Sequence, residues 1–321
     1  MPLRRFVTFA VVGTVLGSLA AGSASADPST TELDRQIRAA TQALEATVEE
    51  YNELREDLRV TVAQSRVLAE QVMPLERRVD QLRDRIGVIA VTAYKTAGVT
   101  GTNALLTAAS AEDFVRRLGL LEELARQRQG EIAELHRARD AYIAARRTVE
   151  ALATQERDQE RDLAARKASI EAEIARLRTL RVRAYGEGER AARNGLRDYT
   201  VPPAPKGVLG SVVRFAAGQL GKAYRFAADG PDSYDCSGLV VAAYRAVGVM
   251  LPHSSRQQWD RVQRIGRADL RPGDLVFYYS DIHHVGIYVG ADKVIHAPQY
   301  GEPVRVDSID SAPIHGYGRP H

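Results

Sequence analysis

Residues 235–244 read Asp235-Cys236-Ser237-Gly238-Leu239-Val240-Val241-Ala242-Ala243-Tyr244. From Ser237 onward the spacing of Leu239, Val240, Ala243 and Tyr244 predicts a helix with one apolar face, and it sets Cys236 at or just before the helix N-terminus. Free backbone N–H groups and the positive dipole end at that position favour a thiolate, lowering the thiol pKa from its ordinary value of about 8.5. Cys236 is the only Cys in the chain, so an internal disulfide is excluded. Two uses stand for it, a small buried hydrophobe or a nucleophile, and the helix start favours the nucleophile.

A nucleophilic thiolate needs a base, and His253, His283, His284, His296, His315 and His321 all follow it in the chain. Residues 284–289 alternate as a strand, with Val285, Ile287 and Val289 on one face and His284, Gly286 and Tyr288 on the other. The apolar face belongs to the core. His284 is therefore expected to point away from it, beside a glycine that leaves room for substrate, where a general base should stand. His283 has the core-side parity. The next strand, Val294-Ile295-His296-Ala297, follows a turn at 290–293, and hairpin pairing would set His296 beside His284 as the group that orients its ring. A zinc site built from Asp281, His283, His284 and His296 competes for the same side chains, but it leaves the helix-terminal Cys without a role. No metal and no cofactor is expected.

Working outward, composition changes near residue 200. Residues 27–200 hold two Pro, eight Gly and six aromatics, whereas residues 201–321 hold ten, fourteen and twelve, so long helices precede a compact, turn-rich domain. In the helical part Leu68, Val72, Leu75, Val79, Leu82, Ile86 and Ile89 recur at alternating spacings of four and three, the pattern of a helix packed along a narrow seam. Weaker continuations run through Leu33, Ile37, Leu44, Val48, Tyr51, Leu58 and Val62. Pro74 should kink or divide this arm. The pattern breaks at residues 98–101, and Ser110 with Asp113 three positions on signals a new helix start. The reading is a long antiparallel coiled-coil hairpin over 27–200, each arm about 90 to 100 Å long at about 1.5 Å per residue. Its least charged stretch, from Val88 to Leu118 with Leu105, Leu106 and Phe114, is the expected docking surface. Residues 201–207, Val-Pro-Pro-Ala-Pro-Lys-Gly, cannot continue a helix and read as an extended, semi-rigid linker to the domain over 208–321.

Residues 1–26 combine Arg4 and Arg5, an apolar run to about Ala21, and Ala24-Ser25-Ala26, the pattern of a cleaved signal peptide, so the chain is expected to be secreted and to act in an extracytoplasmic or cell-wall space. The 44 basic and 41 acidic residues nearly cancel along the whole length, with no basic block that would track a phosphate backbone. Nucleic acid is not an expected partner.

Four segments carry a family resemblance: residues 235–238, Asp-Cys-Ser-Gly; 270–277, Leu-Arg-Pro-Gly-Asp-Leu-Val-Phe; 284–288, His-Val-Gly-Ile-Tyr; and 295–298, Ile-His-Ala-Pro. In this order and spacing they resemble the successive motifs of the NlpC-type, papain-like cell-wall peptidases, over about residues 208–319. The resemblance implies an α+β papain-like domain with the Cys helix packed on an antiparallel sheet, and a triad of Cys236, His284 and His296. It also implies that Tyr224, Asp235 and Ser237 line the site that takes the amine end of a peptidoglycan stem peptide. The reaction implied is hydrolysis of the bond between D-glutamate and the following diamino acid. Where the family usually has a Gly-Gly pair after the Tyr motif, this chain has Ala227-Ala228-Asp229-Gly230. More loosely, the helical part resembles the coiled-coil segments of secreted division hydrolases controlled by an ABC-transporter-like membrane complex. The short linker would keep the domain near the base of the rod, where its cleft can be pressed shut. A non-catalytic wall-binding adaptor that recruits another hydrolase is the alternative, and the intact Cys236, His284, His296 set favours the enzyme.

Overall fold

The computed structural model describes residues 29–95, 99–186 and 200–320. The leader expected over 1–26 lies outside them. Among the described residues no helix is long and apolar enough to cross a membrane.

Helices α1 (Thr30–Lys95) and α3 (Ala111–Tyr185), of 66 and 75 residues, pack side by side as the two arms of a hairpin. At about 1.5 Å per residue they are about 100 and 110 Å long. The seam positions Leu68, Val72, Leu75, Val79, Leu82, Ile86 and Ile89 are all buried or half-buried, while their neighbours are almost all exposed. Two helices alone cover only a narrow stripe of each other, so most of the seam stays half-buried. The tightest packing lies upstream, where Ile37, Leu44 and Val48 meet Ile170 and Leu177. Of the kink or division expected at Pro74, the division is not found. Helix α1 runs undivided through Pro74, which stands exposed and forfeits one backbone hydrogen bond that the packing of the rest outweighs. The break expected at residues 98–101 lies partly outside the described residues, and Val99–Leu106 forms a helix of its own, α2. Ser110 does cap α3, its hydroxyl accepting from Asp113 N at 3.1 Å, and the Asp113 carboxylate reaches back to Ala109 N.

The C-terminal part has helices α4 (Val208–Ala217), α5 (Cys236–Arg245) and α6 (Ser255–Trp259) and a two-stranded ladder, β1 (Ala223–Tyr224) with β2 (Ser233–Tyr234). Its main sheet holds β3 (Gln263–Ile265), β4 (Leu275–Tyr278), β5 (His284–Gly290), β6 (Lys293–His296), β7 (Arg305–Ser308) and β8 (Ile314–Arg319) in the order β3-β8-β4-β5-β6-β7, antiparallel throughout. This is the expected α+β arrangement. Leu275, Phe277, Val285, Ile287, Val289 and Ile295 face α4 and α5 in one core, whose fully buried members all lie within residues 212–304. Val276, Tyr278, Val294 and Ile309 form a second, smaller core on the other face. Residues 201–207 carry no helix or strand, but Val201 and Ala204 lie against the larger core, so the connection hugs the domain.

The base of the rod docks on this domain. Tyr51 meets Phe226 edge to face at 5.9 Å, Arg178 Nε donates to Tyr300 Oη at 2.7 Å, and Phe226 and Tyr300 both pack on the Ile37–Leu177 cluster.

Candidate active site

Cys236 is the first residue of α5, and Asp235 is its N-cap, the carboxylate accepting from Gly238 N at 2.7 Å. A side chain at Gly238 would run into Ala228 O, so the turn that presents Cys236 requires glycine there. Ala227, in the loop that departs from the family pattern, holds φ +55°, a left-handed conformation that glycine would adopt more easily. Cys236 is buried, 6% exposed, and its Sγ lies 3.9 Å from the carbonyl of His283 at the head of β5.

His284 opens β5 and is 4% exposed. It shares its face with Gly286 and Tyr288, as the alternation predicted, but that face is roofed by the second core and does not open to solvent. Its Nε2 is 2.8 Å from His296 Nδ1 on β6. Gly286 makes room for His296 and not for substrate: a Cβ there would press on His296 Cβ and Val294 Cβ at 3.3 and 3.4 Å. His283 turns elsewhere, its Nδ1 2.6 Å from Asp281 and its ring stacked on Tyr279. Asp281, His283, His284 and His296 thus divide into separate pairs. Among the described residues no group of His, Cys, Asp or Glu is arranged to hold a metal.

Tyr224, Asp235 and Ser237 are all buried beside Cys236. Asp235 Oδ1 is 2.8 Å from His253 Nε2, and Ser237 Oγ is 3.4 Å from the same oxygen. His253 was only one of six candidate His in the sequence; the fold makes it the partner of Asp235. Asp307, on β7 and 3.0 Å from His296 Nε2, carried no signal at all.

Helix α1 covers this cleft with a polar stripe. Thr41, Glu45, Glu49 and Asn52 follow one another at helical spacing and are buried. Asn52 Nδ2 donates to Asp235 Oδ2 at 3.0 Å, and Glu49 Oε1 accepts from Ser254 Oγ at 2.6 Å and Arg256 N at 3.0 Å. Arg55 donates to Ala227 O at 3.2 Å and lies 2.6 Å from His253 Nδ1, while Arg256 pairs with Glu53 at 3.1 Å. Charged residues on a long helix read as a solvated face, so nothing in the periodicity marks these four.

The electrostatics of the thiol run opposite to the expectation from its helix position. Burial pushes the Cys236 thiol well up, and the carboxylates of Asp235, Glu49 and Glu45 add to it, outweighing the helix N-terminus. Burial likewise raises Glu49 to about 7, against the opposing hydrogen bonds from Ser254 and Arg256, and raises Glu45 well above the carboxylate range. His284 is held well below the usual imidazole range by burial and then by His296 and His283. Burial thus disfavours the charged forms of the thiol, of His284 and of His296 alike.

Residues 221–317 match the NlpC/P60 family. The chain is 40% identical over 114 residues to the probable endopeptidase Rv2190c of Mycobacterium tuberculosis, a stretch covering 36% of this chain and 30% of that protein. It is 39% identical over 105 residues to the probable endopeptidase Cgl2188 of Corynebacterium glutamicum, covering 33% and 50%. The chain thus spans about a fifth to a half of the length of the curated relatives it matches. Among solved structures, the peptidoglycan hydrolase RipB of Mycobacterium tuberculosis aligns at 28% identity over 35% of this chain and 64% of that one, with a TM-score of 0.33.

Proposed function

Since the C-terminal part of this chain belongs to the NlpC/P60 family, we propose that it hydrolyses peptidoglycan stem peptides between D-glutamate and the diamino acid, by a thiol mechanism on Cys236, His284 and His296. The observation that carries the reading is the meeting of the N-terminal residue of α5 with the head of β5, where His284 is backed by His296. Cys236 Sγ attacks the carbonyl carbon and yields a thioester. His284, carrying the proton it took from the thiol, delivers it to the amine as the C–N bond breaks, then takes one from the water that hydrolyses the thioester and returns it to the sulfur. The Cys236 N–H and the Tyr224 hydroxyl serve the oxyanion. Asp235 Oδ2, which now accepts from Asn52, is the oxygen offered to the amine end of the peptide.

In the same reading the chain is organised as a signal peptide over 1–26, a rod over 27–200, a linker over 201–207 and a peptidase over 208–321, exported to the wall. The rod restrains the enzyme: α1 occupies the cleft and keeps the thiol neutral. A membrane complex of ABC-transporter type acting in division would bind the distal end, where Val88, Tyr94, Leu106 and Val115 stand exposed, and shift the hairpin. The test is digestion of purified wall fragments with residues 201–321, whose core is their own, and mass analysis of the products. Cleavage on the carboxyl side of D-glutamate is expected; binding without cleavage would return the adaptor reading.

A further inference from the structure

The peptidase reading uses His296 as the last member of the line behind Cys236, but the structure continues it by one residue. β6 pairs with β7 so that Ile295 faces Val306 and Val294 faces Asp307, which sets Asp307 diagonally across from His296 on the same face of the sheet. His296 is 5% exposed, and its two ring nitrogens are both engaged, Nδ1 with His284 Nε2 at 2.8 Å and Nε2 with Asp307 Oδ2 at 3.0 Å. Asp307 is held in turn: Arg305 Nε donates to the same Oδ2 at 2.7 Å, and the Arg305 guanidinium also pairs with Glu302.

We propose that Asp307 is a positioning residue of the reaction, which fixes His296 with its proton on Nε2 and thereby fixes which nitrogen of His284 faces the chemistry. This rests on the peptidase reading, and the logic is one of donors and acceptors. An ionised carboxylate only accepts, so the hydrogen between His296 and Asp307 sits on His296 Nε2. A neutral imidazole with its proton there offers a lone pair at Nδ1. His284 Nε2 must then donate, which leaves His284 Nδ1 as the nitrogen free to exchange a proton with the thiol and the leaving amine. Without a carboxylate behind it, His296 has two tautomers open to it, and one of them sets N–H against N–H across the pair. Ionisation of Asp307 is secured by its surroundings: although burial opposes it, His296 and Arg305 hold the carboxyl below the usual carboxylate range. The same charge favours an imidazolium on both rings, offsetting part of the burial that disfavours it.

The test uses the chain from Asp27 onward, rod included, labelled with 15N-histidine and compared with its Asp307→Asn and Asp307→Ala forms. Two-bond proton–nitrogen correlation spectra read the tautomer of each ring, with His296→Gln and His284→Gln used for assignment. The parent should show His296 protonated at Nε2 and His284 at Nε2. Asp307→Ala should lose the single His296 tautomer and lower kcat on a stem peptide about tenfold with KM unchanged. Asp307→Asn, whose amide oxygen still accepts, should keep the tautomer and fall between. Opening of the cleft enters parent and variants alike, so the ratios read the chemistry. A His296 tautomer and a kcat both unchanged in Asp307→Ala would overturn the inference, as would a rise in KM alone or a lower melting temperature with both readouts intact. If neither this chain nor residues 201–321 alone cleaves a stem peptide, the peptidase reading falls, and the spectra would still decide whether Asp307 sets the tautomer.

Discussion

Glu49 provides a quantitative handle on the rod's grip. In the covered cleft its pKa stands at about 7, against 4.5 for an exposed glutamate, and its Oε2 is buried without a hydrogen-bond partner while Oε1 accepts from Ser254 and Arg256. That is where a proton sits on a neutral carboxyl. Above about pH 4.5 an uncovered Glu49 is ionised, whereas the covered one keeps its proton to about pH 7. Closing therefore takes up a proton between those limits. Closure is fully favoured at acid pH, weakens as pH rises towards 7, and levels off above it, where both forms are ionised. At about 1.4 kcal/mol per pH unit the loss comes to about 3.5 kcal/mol, about three-hundredfold in the closed-to-open ratio. Glu45, raised in the same direction, adds to the effect with the same sign. Glu49→Gln isolates the Glu49 contribution, since an amide keeps the acceptor and places N–H₂ where the proton was. The assay is the rate at which a small thiol-directed disulfide reacts with Cys236 in the two proteins from pH 5 to 8.5; their ratio cancels the thiolate's own pH dependence. The parent should react at a similar rate to Glu49→Gln near pH 5 and much faster than it by pH 7.5. A ratio that stays flat, or that falls with pH, would refute a protonated Glu49 under the rod.

Three further outcomes follow from the same geometry. Cys236→Ala should abolish hydrolysis with a melting temperature close to the parent's, because a small residue replaces a small thiol at a helix start; activity within tenfold of the parent would end the thiol mechanism. His284→Ala should be as damaging as loss of the thiol, His296→Ala should leave measurable turnover, and His283→Ala should be mild, since His283 pairs with Asp281 and not with His296; wall-fragment kinetics with the four variants would show a different order if the assignment of roles is wrong. Residues 201–321 without the rod should be alkylated at Cys236, and should turn over a stem peptide, at least tenfold faster than the chain from Asp27, and equal rates would mean that the rod only localises the enzyme.

Much of the molecule was legible in local pattern. The spacing-of-three-and-four seam from Leu68 to Ile89 depends only on the helical repeat, and the alternation around His284 depends only on the strand repeat, so both survived into the fold. Cys236 at a helix start and His296 beside His284 followed from the same short-range rules. What the tertiary structure alone decided involves residues far apart in the chain. Asn52 meets Asp235 across 183 positions and Glu49 meets Ser254 across 205, and no periodicity within α1 distinguishes a glutamate facing a cleft from one facing water. Asp307 became a neighbour of His296 only through the register of β6 on β7. The direction of the Cys236 shift follows the same division: the helix N-terminus is a property of local sequence and favours the thiolate, but burial is a property of the whole fold, and desolvation is the larger effect.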